Sequence, residues 1–262
     1  MSGKITLNSI INDKVSGSSE ILERLNKYIL QNTADIHRLR NDIHGIKKTF
    51  TGFAAIDSYI IQVETLISSR DSKKLKTFLN RFNTGKNVAY ERIFKNTKAY
   101  LPNPGTVLTL SNSKTLLEIF KIWSRENKKL NFIVCESRPK NEGVIFAKSL
   151  AEENIKVSLI TDASMSNYIA KADAVIVGAD IILKNGNVVN KTGSRNAAII
   201  CRYFKKPFIV LATKDKFANK KSYKSIQENP GEILSSSHKN IMVSNYYFEE
   251  IEKSLITKII TD

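Results

Sequence analysis

The sequence predicts a mixed α/β protein: an N-terminal helical part followed by a doubly wound, mostly parallel sheet. Three observations carry this. Apolar residues recur at helical spacing up to about residue 102, with no strand-like alternation. Leu101-Pro102-Asn103-Pro104-Gly105 then breaks the chain. Beyond Gly105, short apolar runs alternate with helical patterns, the order that threads a parallel sheet. The expected division is a helical domain over 1–103 and a sheet domain over 104–262.

Each element has its own signal. Ile21, Leu22, Leu25, Tyr28 and Ile29 make one helical stripe, and Ile36, Leu39, Ile43 and Ile46 make a second. Ile56, Ile60, Ile61, Val63 and Ile67 make a third. Separate helices are expected over Ser72–Phe82 and Asn87–Lys95. Strands are then expected at Thr106–Leu110, Asn131–Cys135, Lys156–Thr161, Ala174–Val177, Phe208–Ala212 and Ile241–Ser244. Helices between them are expected at Lys114–Asn127, Gly143–Glu153, Ser164–Ala170 and Arg195–Phe204. Val175-Ile176-Val177 and Ile209-Val210-Leu211 are apolar throughout, as suits strands covered on both faces. Lys184-Asn185-Gly186-Asn187 reads as a hairpin turn joining Ile181-Ile182-Leu183 to Val188-Val189.

Composition narrows the function classes. At 262 residues and 42% hydrophobic content, the chain can build a packed core, which excludes disorder. No apolar run approaches the roughly 18 residues that span a bilayer. Met-Ser-Gly-Lys-Ile-Thr-Leu-Asn holds no signal-peptide core, so a cytoplasmic location without membrane attachment is expected. Cys135 and Cys201 lie in apolar runs and read as buried free thiols. His37, His44 and His238 show no metal-ligand spacing, and no metal or cofactor is expected. The net charge of +16 favours anionic partners, although paired lysines such as Lys47-Lys48 and Lys205-Lys206 are scattered along the chain. No RNA-binding aromatic signature is present.

Ligands of open α/β sheets sit beyond the carboxyl ends of the strands. The segments there are polar: Ser111-Asn112-Ser113-Lys114, Glu136-Ser137-Arg138-Pro139, Thr161-Asp162-Ala163-Ser164, Gly178-Ala179-Asp180 and Thr213-Lys214-Asp215-Lys216. Asp180 follows a buried strand at once. Asn190 and Lys191 come ten residues later, in a turn before Thr192-Gly193-Ser194 opens a helix. An acid, an amide, a lysine, hydroxyls and a glycine turn at a helix start suit a small phosphorylated ligand. Ser113 equally suits a helix N-cap. Neither a Gly-x-Gly-x-x-Gly fingerprint nor a Walker loop occurs, which argues against NAD and against ATP hydrolysis.

Glu136-Ser137-Arg138-Pro139 with Glu142-Gly143, Thr161-Asp162-Ala163, Val177-Gly178-Ala179-Asp180, Asn185-Gly186, Asn190-Lys191-Thr192-Gly193 and Lys216-Phe217 occur in one order. In that order they resemble the α/β/δ subunit family of translation initiation factor 2B. That family includes ribose-1,5-bisphosphate isomerase and methylthioribose-1-phosphate isomerase. The resemblance covers roughly 104–245. It implies a helical domain followed by a Rossmann-like ligand-binding domain, and a homodimer or larger homo-oligomer. It also implies a catalytic acid at Asp180 and substrate contacts from Asn190, Lys191 and Lys216, with Ser113-Lys114 matching a further step. Arg138 is a candidate ligand contact in the same set.

The sequence departs from the isomerases at the first strand. Their Thr-His-Cys run reads Thr109-Leu110-Ser111 here, so Ser111 stands at the cysteine position and Leu110 at the histidine. Their N-terminal arginine-glycine phosphate motif reads Val15-Ser16-Gly17-Ser18-Ser19. A serine hydroxyl does not take a proton from carbon unless a base activates it, and losing a proton-transfer group costs roughly 10²–10⁴-fold. The expected function is a regulatory or translation-related protein, similar to initiation factor 2B. It would bind a sugar phosphate or nucleotide monophosphate without efficient catalysis. The alternatives are a working sugar-phosphate isomerase using Asp180, and a basic translation-associated protein that binds RNA or an acidic factor.

Overall fold

The computed structural model describes residues 5–13, 16–50, 53–69, 71–236 and 238–262. Met1–Lys4, at the start inspected for a leader, and Val15 lie outside them. Among the described residues the N-terminal part is helical: α1 (Leu7–Ile11), α2 (Ser18–Gln31), α3 (Ile36–Thr49), α4 (Ala54–Ser68) and α5 (Ser72–Tyr100). Their apolar stripes bury one another. Leu22, Leu25 and Ile29 of α2 share a core with Leu39, Ile43 and Ile46 of α3 and with Ile56, Ile60 and Val63 of α4.

One expectation fails here. The two helices expected over Ser72–Phe82 and Asn87–Lys95 are a single helix, α5, of 29 residues. Asn83-Thr84-Gly85 reads as a break by propensity. Gly85, however, is not a turn glycine, and a Cβ there would meet nothing within 4 Å. Burial of Ala89, Tyr90, Ile93 and Phe94 holds the far half in place, outweighing the roughly 1 kcal/mol a helical glycine costs. Through Ile93 and Phe94, α5 also enters a core beneath the sheet.

The remainder alternates strands and helices: β1 (Thr106–Leu110), α6 (Lys114–Glu126), β2 (Asn131–Cys135), α7 (Glu142–Glu152), β3 (Val157–Ile160), α8 (Met165–Ile169), β4 (Ala174–Val177), β5 (Ile181–Ile182), β6 (Val188–Lys191), α9 (Ser194–Phe204), β7 (Phe208–Leu211), β8 (Phe248–Ile251) and β9 (Lys258–Ile260). Among the described residues a six-stranded parallel sheet runs β3-β2-β1-β4-β7-β9. Alternate side chains of each strand enter opposite cores. Val107, Phe132, Val134, Ile176 and Ile209 pack against Phe120, Trp123 and Phe146 of α6 and α7. Leu108, Cys135, Val175, Val177 and Val210 pack against Met165, Ile169, Ala197 and Cys201 of α8 and α9. Burial on both faces is why these strands carry no polar alternation.

The strand expected at Ile241–Ser244 is not one. Met242 is 93% exposed, and the segment neither joins a sheet ladder nor buries a face. The sixth place in the sheet belongs to β9, whose Ile260 is buried against the α6 face. The hairpin turn is present, with Gly186 at φ 85° between β5 and β6. Together β5, β6 and β8 make a small antiparallel sheet. Asn190 and Lys191 therefore lie on β6, opposite Glu249 and Phe248, and not in a turn. Among the described residues no helix is long and apolar enough to cross a membrane.

Candidate functional site

The strand order reverses where β1 meets β4, and connections leave that point in opposite directions. Such a crevice is where open α/β sheets hold ligands. A cavity of about 30 Å³ lies there, large enough for about two water-sized groups. Its walls come from the loop after β1, the Gly178-Ala179-Asp180 step after β4, the end of β6, Lys216 after β7, and Gly17-Ser18-Ser19 at the start of α2. Gly178 permits this closure, because a Cβ there would lie 2.8 Å from Ser113 Oγ.

Most residues named from sequence meet at this cavity: Ser111, Ser113, Lys114, Asp180, Asn190, Lys191 and Lys216 all line it. Asp180 is 9% exposed and accepts a hydrogen bond from Ser18 Oγ at 3.1 Å. Ser18 Oγ in turn accepts from Lys216 Nζ. Lys216 is 3% exposed, and burial pushes its ammonium below the usual lysine range, against the attraction of Asp180 and Asp215. Asp215 is shielded too. Burial pushes its carboxyl up, but Lys86 and Lys216 together outweigh this and hold it below the usual range.

On the opposite wall, Lys191 Nζ donates to Glu142 Oε1 at 2.6 Å. The ammonium also lies 4.4 Å from the Phe248 ring centroid. Ser111 Oγ lies 3.4 Å from Glu142 Oε2 and donates to it weakly. Burial raises the Glu142 carboxyl, and Lys191 opposes the shift. Asn190 Nδ2 donates to Ser194 Oγ at 2.9 Å. Ser113 Oγ accepts from Leu116 N as the cap of α6, and Lys114 Nζ pairs with Glu118 Oε1 at 2.9 Å.

The backbone under Ser111 is strained. Ser111 has φ 66° and Ser137 has φ 62°, both left-handed for residues with a Cβ. Such conformations cost on the order of 1–3 kcal/mol each and persist where surrounding bonds enforce them. Here Ser111 N–H donates to Ser137 Oγ at 2.7 Å. Ser137 N–H and Arg138 N–H donate to the two carboxylate oxygens of Asp162 at 2.9 and 2.7 Å. Asp162 thus anchors the loop that fixes Ser111.

Two expected features lie elsewhere. Arg138 is exposed and faces a separate depression beside Asp162 and Asn196. The start of α9 is closed to an anion, because Glu249 Oε1 already accepts from Gly193 N–H at 2.7 Å and Arg195 N–H at 2.8 Å. The open helix start is that of α2, where Gly17 supplies no side-chain cap and Ser18 and Ser19 are buried at the cavity. Sequence reasoning did not select Ser18 or Glu142. Ser18 was visible only within the Gly17-Ser18-Ser19 run, and nothing local joins it to Asp180, 162 residues away. Glu142 was visible only as part of the Glu-Gly pair. Among the described residues no cluster of His, Cys, Asp or Glu has a metal-binding arrangement.

Comparison with known proteins gives a consistent picture. The model of the Initiation factor 2 subunit family matches residues 12–262. A ribose 1,5-bisphosphate isomerase of Methanocaldococcus jannaschii is 32% identical over 180 residues, covering 66% of this chain and 58% of that protein. A putative translation initiation factor eIF-2B subunit 2-like protein of Pyrococcus furiosus is 40% identical over 121 residues, covering 46% of this chain and 44% of that protein. The chain thus matches about half the length of these curated relatives. The crystal structure of 5-methylthioribose 1-phosphate isomerase from Pyrococcus horikoshii superposes with a TM-score of 0.82 at 19% identity. That match covers 97% of this chain and 81% of the other. At that identity the likeness speaks for the fold alone.

Proposed function

Because the chain belongs to the Initiation factor 2 subunit family, we propose that it binds a sugar phosphate or nucleoside monophosphate at the β1/β4 crevice as a regulatory or translation-related protein. The observation that carries this reading is the convergence of Asp180, Lys191 and Lys216 with the open start of α2 on one small cavity. The lysines and the α2 N–H groups suit phosphate oxygens, and the Asp180 carboxylate suits sugar hydroxyls. Asn190, Ser113 and Lys114 complete the wall. In this reading residues 1–103 are the helical domain, and 104–262 the ligand-binding domain.

Efficient catalysis is not part of the proposal. Ser111 stands where the isomerases carry a thiol, and the carboxylate it contacts, Glu142, is held in an ion pair with Lys191. A second reading, a slow isomerase, is favoured by that same contact, since Glu142 is the base that sequence alone did not supply. Self-assembly fits an exposed apolar face on α8 and α9, where Tyr168, Ile199 and Tyr203 meet solvent and Tyr203 is 80% exposed.

Thermal shift with ribose 5-phosphate, ribose 1,5-bisphosphate and AMP tests the binding reading. A ligand at 100 times its dissociation constant adds about 2.7 kcal/mol of stability, and Asp180→Asn is expected to remove that gain. The absence of any shift across the panel would end the reading. Conversion of ribose 1,5-bisphosphate to the ketose at rates typical of enzymes, abolished by Glu142→Gln, would replace it with the isomerase.

A further inference from the structure

A groove of about 880 Å³ runs along the helical part of the chain, between α4 and the first half of α5. It shares no lining residue with the β1/β4 crevice. Its floor is apolar: Ile61 and Leu66 from α4, Phe78 and Phe82 from α5. Ile61 is 57% exposed. Packing below keeps this floor in shape. The Phe78 and Phe82 ring centroids lie 5.7 and 5.0 Å from that of buried Tyr59. Tyr59 OH donates to Asn26 Oδ1 at 2.9 Å, and Asn26 Nδ2 donates to the Leu79 carbonyl at 3.0 Å. An apolar surface held open in this way, with a polar border, is the mark of a protein interaction site.

The border is cationic: Lys73, Lys74 and Arg81. Asp71 is the single acid among the lining residues. It already accepts from Lys74 N–H at 2.9 Å and pairs with Lys74 Nζ at 3.2 Å. Lys73 and Arg81 are exposed and form no ion pair among the described residues. At the far end stands Gly85, where a Cβ would meet nothing within 4 Å. Packing within the chain therefore does not call for a glycine there. The missing side chain leaves that end of the groove open to the close approach of another backbone.

We infer that the α4–α5 groove docks an acidic amphipathic helix of a partner protein. Two neighbouring helices offer no unpaired strand, so an extended segment lying there would leave its own backbone groups unbonded. A helix arrives with those groups satisfied and lays one apolar stripe into the groove. From Lys73 to Gly85 the groove is about 18 Å long at a rise of 1.5 Å per residue, which matches a partner helix of about three turns. Apolar side chains at i, i+4 and i+7 would cover Ile61, Phe78 and Phe82. Asp and Glu on the flanks would meet Lys73 and Arg81, and a basic helix would be repelled by them. The helix would cross α5 most closely at Gly85. This role goes beyond ligand binding in the crevice and does not depend on it.

The experiment is selection of a displayed library of random peptides on the full chain, with counter-selection on Gly85→Gln. That variant fills the open end of the groove and improves helix propensity, so lost binding cannot be laid to lost folding. Enriched peptides are expected to carry apolar residues at helical spacing between Asp and Glu. Fluorescence anisotropy of the best of them should show at least tenfold weaker binding to Gly85→Gln and to Arg81→Glu, and weaker binding as salt rises. Circular dichroism should show the bound peptide turning helical. Failure to enrich any peptide over Gly85→Gln would overturn the inference, as would enrichment of basic or aperiodic sequences. Polyuridylate bound tightly and released by Arg81→Glu but not by Gly85→Gln would overturn it in favour of RNA. Self-association of the chain, seen by sedimentation and abolished by Gly85→Gln, would overturn it in favour of a second copy.

Discussion

Lys191 Nζ sits 2.6 Å from Glu142 Oε1, and both side chains are buried on one wall of the crevice. The two residues come from different sheets' surroundings, β6 and the first position of α7, and are 49 apart in sequence. Removing one partner of such a pair strands the other charge in a site with little water. Lys191→Met alone is expected to destabilise the fold by about 3 kcal/mol. Adding Glu142→Gln should recover most of that loss. Urea unfolding of the two single variants and the double variant measures it, and simple additivity would show that the pair is not coupled.

Lys216 gives a pH signature. Its folded value lies below the ordinary lysine value of 10.5 because of burial. Between the lowered value and 10.5 the unfolded chain holds a proton that the folded chain has released. Stability therefore rises with pH through that window relative to a variant without the group. Wild type is expected to gain on Lys216→Met as pH climbs from the depressed value to 10.5. Parallel stability curves for the two proteins would mean that Lys216 keeps its ordinary affinity for protons.

Both thiols should be inert in the native protein. Burial pushes Cys135 and Cys201 up to about 12. The thiolate, the reactive form, is scarce at pH 8. Ellman's reagent is expected to label neither at that pH until denaturant is added. The stability these thiols confer is full below the ordinary thiol value of 9.0 and is lost as pH rises from there to about 12. Rapid labelling of the folded chain would show that one of them is open to solvent.

Gly143 is the tightest steric constraint near the site. A Cβ there would lie 1.7 Å from the carbonyl oxygen of Cys135 and 3.0 Å from Ser137 Oγ. Gly143→Ala must push α7 away from β2, displacing Glu142 and the Ser137 support of Ser111. A loss of about 3 kcal/mol is expected, with weakened ligand binding among the molecules that still fold. Gly45→Ala, where a Cβ meets nothing within 4 Å, serves as the control and should be neutral or stabilising. Equal behaviour of the two variants would refute the close approach.

The alternation of strands and helices after Gly105 was legible because burial on both faces writes continuous apolar runs such as Val175-Ile176-Val177. The hairpin at Asn185-Gly186 was legible from its turn chemistry. What escaped was non-local. The far half of α5 is held by packing that no local pattern reports. The chain over Lys258–Ile260 is too short to announce a strand before its place beside β7 is known. At the site, the cluster after the strand ends was readable, since topology dictates where those ends gather. Ser18 was not, because its role depends on α2 docking over the crevice. Glu249 also changed the picture. A helix start that reads as an anion seat is already filled by a carboxylate from β8.

The position of β9 has a consequence for biosynthesis. Between β7 and β9 the chain runs through the 220–247 excursion and β8 before it returns to the parallel sheet. During vectorial synthesis, the β7 edge therefore presents unpaired backbone groups to the cell until residues 258–260 emerge. A ribosome stalled in that interval would display a nearly finished sheet with one sticky border. Nascent chains of that length should be the species that chaperones capture.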